Sequence, residues 1–161
     1  MILRCTSRLL DLIGAKPTIA NIEPSSEDWY GNAFWLEGRK CVLLVQAATL
    51  YSAVAFDIGV GDLRPPGGFV FTQIVRALDR DGLPRDTFGA IDPPDMRLAR
   101  TLDRSVVGSM NDMVHLIRHI IGTMGGLAQC DRTEIHRLLH GMPNGARGYA
   151  TPLELVHANK G

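Results

Sequence analysis

The sequence predicts an α+β fold: one domain over residues 1–161, with an antiparallel or mixed β-sheet made of an N-terminal strand plus a β-meander and packed by C-terminal helices. Three observations lead there. Asn32–Leu36 and Lys40–Val45 flank Glu37-Gly38-Arg39, a short glycine-containing connection typical of a hairpin. The run Cys41–Val45 is apolar without alternation, which requires cover on both faces of its strand. After residue 100 the apolar residues recur at helical spacing between cap signals, so strands come early and helices late.

In chain order, Ile2–Thr6 is β-like, and Ser7 reads as a cap for a helix carrying Leu9, Leu10, Leu12 and Ile13, with Gly14 as its stop and Pro17 beyond. Residues 17–28 form a polar loop. The hairpin follows, and a third strand is expected over Leu50–Phe56. Beyond the breaker Arg64-Pro65-Pro66-Gly67-Gly68, the spacing of Phe71, Ile74, Val75 and Leu78 predicts a helix up to Asp81-Gly82. Residues 82–95 read as loop and Met96–Thr101 as a further strand. The strongest helix runs from about Arg104 to Met124, with Val106, Met110, Met113, Ile117, Ile121 and Met124 on its apolar face and Gly125-Gly126 at its end. Asp131 and Glu134 form a capping box for a helix ending at Gly141, and Thr151-Pro152-Leu153-Glu154 starts a final short one.

Composition narrows function. The 161 residues are 45% hydrophobic, enough for a sizeable core. Seventeen Lys and Arg balance seventeen Asp and Glu, and the balance holds in each half of the chain, which argues against a non-specific polyanion binder. The apolar runs fall far short of the roughly 20 residues of a membrane helix, so no membrane association is expected. Cys5, Cys41 and Cys130 are too scattered for a disulfide framework or a CxxC site; Cys5 reads as a buried inert thiol and the compartment as cytoplasmic.

Chemistry is expected along the long helix. Gly108, Asp112, His115 and His119 lie within about 60° of one another, opposite the methionine and isoleucine stripe. Imidazoles four apart can hold a divalent metal, and a second pair, His136 and His140, follows on the next helix. Asp112, His115, His119, His136 and His140 are therefore the metal reading; solvated faces, with Arg118 and Arg137 inside the pairs, are the competing one. No other cofactor is expected. A second cluster is Arg97, Arg100, Arg104 and Ser105 at the start of that helix, with Ser109, Asn111 and Asp112 adding hydrogen-bonding groups one turn later. Free N–H groups and guanidinium forks there suit a phosphate or carboxylate. The structural alternative pairs the arginines with Asp95 and Asp103 and leaves Ser105 as a cap. Trp29, Tyr30, Phe34 and Trp35 could stack a base, though strand packing also accounts for them.

Met1–Leu10, Trp29–Ser52, Arg100–Met113 with its R-S-V-x-G-S-M-N-D string, and Thr151–Val156 together resemble an uncharacterised family of small bacterial proteins, a domain of unknown function also seen in phage and mobile-element settings. The resemblance carries no activity. It implies that Arg104, Ser105, Gly108, Asn111 and Asp112 belong to whatever site exists, and it does not include the histidine pairs. The expected function is a non-enzymatic interaction or regulatory module with a protein partner or a homodimer, through a sheet edge or an apolar helix face. The alternative is a small enzyme or ligand-binding domain for a phosphorylated or carboxylated molecule at Arg100, Arg104, Ser105, Asn111 and Asp112. A third reading is a sequence-specific nucleic-acid binder using a local arginine patch.

Overall fold

The computed structural model describes residues 1–160. Five strands, β1 (Ile2–Cys5), β2 (Trp29–Leu36), β3 (Arg39–Gln46), β4 (Ser52–Ala55) and β5 (Arg97–Arg100), form one mixed sheet in the order β4-β3-β2-β1-β5. The meander β2-β3-β4 is antiparallel, while β1 lies parallel to both β2 and β5, with Arg4 opposite Tyr30 on one side and Ala99 on the other. The fold is thus α+β with a mixed sheet. Helices cover both faces. On one side lie α1 (Ser7–Ile13) and α2 (Pro66–Arg80); on the other lie α3 (Arg104–Thr123) and α4 (Arg132–Gly141). The last helix, α5 (Pro152–Ala158), buries Val156 in the first of these cores.

β3 shows why its run lacks alternation. Val42 and Leu44 enter the α1–α2 core, and Cys41, Leu43 and Val45 enter the α3–α4 core. Each face of the strand therefore meets helices. Val106, Met110 and Ile117 of α3 are fully buried on that second face. Gly31 is required on the first: a Cβ there would lie 2.5 Å from Leu9 Cδ2, so α1 sits close on β2 only because the side chain is absent.

Two details differ from the expectation. α2 begins inside the Arg64–Gly68 breaker, because Pro66 occupies the first helical position, where its missing N–H costs nothing. Phe71 is exposed, and Phe69 and Val70 take its place in the core. Both lateral edges of the sheet are occupied by the chain itself. At β5, the backbone N–H groups of Thr18 and Ile19 donate to Leu98 O at 2.9 and 3.2 Å, and Thr18 Oγ1 accepts from Leu98 N–H. Pairing of another chain along these edges would have to displace such groups. Among the described residues, no helix is long and apolar enough to cross a membrane.

Candidate functional site

The edge strand β4 shows where the second histidine pair goes. Ser52 and Val54 turn their backbone groups away from β3, and α4 delivers two buried imidazoles to meet them. His140 Nε2 lies 2.7 Å from Ser52 O, and its Nδ1 lies 2.7 Å from Asp81 Oδ2. Ser52 N–H also lies 3.3 Å from Nε2, so both backbone groups of Ser52 face this one ring nitrogen while Asp81 takes the other. Tyr51 completes the cluster: its hydroxyl donates to Asp81 Oδ2 at 2.6 Å and its ring stacks on His140 at 4.2 Å. Burial alone would raise the Asp81 carboxyl, but the hydrogen bonds from His140 and Tyr51 prevail and hold it below its ordinary value. Burial and the bond to Asp81 push the Tyr51 phenol up.

His136 is arranged the other way. Its Nδ1 lies 2.8 Å from Arg132 O, and its Nε2 faces two donors, Val54 N–H at 3.2 Å and Arg80 Nη1 at 3.2 Å. The ring is therefore neutral with its proton on Nδ1. Burial lowers its pKa to about 4; the bond to Arg132 O opposes the shift, and the charges of Arg80 and His140 add to it.

His136 also lines a cleft with four arginines, a cavity of about 630 Å³ between β4, α2 and α4. Thr72, Gln73, Arg76 and Arg80 line it from α2, where four-residue spacing puts Thr72, Arg76 and Arg80 in one row. Arg132 enters from the first turn of α4, with its guanidinium 5.6 Å from the Phe56 ring centre. Arg64, Asp57 and Asp62 line the segment that follows β4. No carboxylate of the described residues is within salt-bridge distance of Arg64, Arg76, Arg80 or Arg132. Asp57 is paired with Arg39 at 2.7 Å, and Asp62 accepts Gly59 N–H at 2.7 Å.

The residues singled out from the sequence are divided among several places. Arg104, Ser105 and Asp112 meet in a cavity of about 500 Å³ that also includes Gly108, Ser109, Met113 and Asn144. Asn111 is exposed outside that lining, and Arg100 borders a smaller cavity of about 230 Å³ beside Arg4 and Leu102. At the α3 N-terminus, Asp103 caps the helix: its Oδ1 accepts from Ser105 N–H at 2.8 Å and Val106 N–H at 3.3 Å. Two of the N–H groups that could meet an anion there are taken by the chain's own carboxylate. His115 and His119 are exposed on α3, whereas His136 and His140 are buried, so the four do not converge and only the first pair lies on a solvated face. Among the described residues, no group of three or more His, Cys, Asp or Glu side chains is placed to hold a metal. Trp29, Tyr30 and Phe34 are core residues, with Trp35 exposed. Burial raises the Cys5 thiol to about 12.

Arg76, Arg80, Arg132, Asp57 and Asp62 went unnoticed in the sequence. The row Thr72, Arg76, Arg80 was the available signal; Arg132 joins it only through the packing of α4 on β4. A family model described as a domain of unknown function (DUF6933) matches residues 2–155. A search of curated proteins finds no match.

Proposed function

The chain belongs to the domain-of-unknown-function family DUF6933, and for it we propose a binding function: the cleft beside β4 takes a small anionic molecule bearing a phosphate group. One observation carries this reading. Arg76 and Arg80 from α2 and Arg132 from α4 line one cleft, and no carboxylate of the described residues lies within salt-bridge distance of any of them. Concentrated positive charge of this kind is relieved by an anion, and charge-assisted forks to its oxygens are among the stronger polar contacts available. Three guanidinium groups offer more donors than the two oxygens of a carboxylate can use. The charge and extra oxygen of a phosphate match them better.

The groups present favour binding over chemistry. The imidazole in the lining, His136, has both ring nitrogens engaged, and its role is to hold Arg80 against the sheet edge. The overall charge balance does not weigh against the reading, because the field that matters is the local one.

The test is calorimetric titration of pyrophosphate into the protein at low salt. Binding is expected, with at least a tenfold loss of affinity in Arg76→Ala and in Arg80→Ala and no change in Arg104→Ala. Absence of binding, or loss in Arg104→Ala alone, would contradict the assignment.

A further inference from the structure

We infer that the ligand is bipolar: a phosphorylated sugar, free or as the ribose phosphate of a nucleotide, with its phosphate on Arg76, Arg80 and Arg132 and its hydroxyl groups read by Asp57 and Asp62. This rests on the anion-binding reading of the same cleft. Two observations extend it. The first is length. The lining follows α2 from Gly68 to Arg80, and twelve residues at 1.5 Å each span about 18 Å, several times the size of one phosphate. The volume of about 630 Å³ falls in the range of small-molecule sites and leaves most of the cleft for the remainder of the ligand.

The second is the state of the two acids. Each has one carboxylate oxygen fixed internally, Asp57 Oδ2 by Arg39 and Asp62 Oδ2 by Gly59 N–H, and the other oxygen has no hydrogen-bond partner among the described residues. Neither forms a salt bridge with a cleft arginine, so each carboxylate keeps its free oxygen for another donor. An ionised carboxylate only accepts, and hydroxyl groups of a sugar are the donors that suit it. The same acids repel a ligand that is anionic along its whole length, which disfavours a nucleic-acid strand or a long polyphosphate.

The experiment is calorimetry on the full chain with inorganic phosphate, ribose 5-phosphate and adenosine 5′-monophosphate at matched ionic strength. Ribose 5-phosphate is expected to bind at least tenfold tighter than phosphate. Asp62→Asn and, separately, Asp57→Asn are expected to erase that preference while phosphate itself binds as well or better. Their melting curves show whether each variant is folded, and either one suffices. Tighter binding of the nucleotide than of the sugar phosphate supports the inference and identifies the nucleotide as the source; equal binding supports it with the free sugar phosphate. Equal affinity for phosphate and ribose 5-phosphate overturns the inference and leaves anion binding standing. Failure of all three probes overturns both.

Discussion

Arg4 and the arginines of the cleft put the same side chain to opposite uses. Arg4 is fully buried on β1, and the chain consumes its donors: Nε bonds Asp28 at 2.5 Å, Nη2 reaches Ile22 O and Glu23 O at 2.8 and 2.9 Å, and Nη1 reaches Arg100 O at 3.3 Å. It fastens the polar 17–28 loop to the sheet. Arg76 and Arg132 are exposed and have no such partners among the described residues, and Arg80 has only a neutral imidazole. A guanidinium whose donors are all taken by the fold contributes structure. One left without a counter-charge in a concave wall is available to a ligand.

That contrast can be broken by mutation, beginning where the largest effect is expected. Arg4→Met leaves the Asp28 carboxylate buried without its counter-charge, and a loss of about 3–5 kcal/mol is expected in urea denaturation. A loss below about 1 kcal/mol would show that Arg4 is not a fastening group.

Acid comes next, through His136. Its folded pKa, about 4, lies below its ordinary value near 6.5, so the unfolded chain takes up the proton first. Stability contributed by the neutral ring is present above pH 6.5 and falls as pH drops toward 4, by an amount on the order of 3 kcal/mol. His136→Gln is expected to flatten this part of the pH profile. An unchanged slope would contradict the neutral, Nδ1-protonated ring.

Tyr51→Phe removes one hydrogen bond to a charged carboxylate and is expected to cost about 1–2 kcal/mol. It also weakens the depression of the Asp81 pKa, whose contribution to stability is present above the ordinary carboxylate range and is lost as pH falls through the lowered value. The variant should therefore lose less stability than the wild type between pH 5 and pH 3. Smallest of all, Arg76→Ala is expected to change stability by less than about 0.5 kcal/mol while it removes ligand affinity. A large destabilisation would move Arg76 into the same class as Arg4.

Much of the fold was legible because it is written in local patterns. The hairpin glycine, the two-sided run Cys41–Val45, the stripe of α3 and the Thr151–Glu154 capping box each depend on neighbours in sequence. The parallel pairing of β1 with β2 and β5 depends on contacts up to about a hundred residues apart, and no periodicity announces it. The site was harder for the same reason. His136 and His140 have the spacing of an exposed metal-binding pair, yet the docking of α4 on β4 turns both inward, where backbone groups claim them. Arg104 and Ser105 stand at a helix start that looks ready for an anion, and there Asp103, one residue earlier, takes two of the free N–H groups itself. Counting which donors remain free requires the tertiary partners, and those the sequence does not display.

The most direct test follows the guanidinium Nε–H resonances of the arginines during a pyrophosphate titration by NMR. Joint movement of Arg76, Arg80 and Arg132, with Arg4 and Arg104 still, is the predicted result. Resonances that stay fixed throughout, or that move at Arg100 and Arg104 instead, would contradict it.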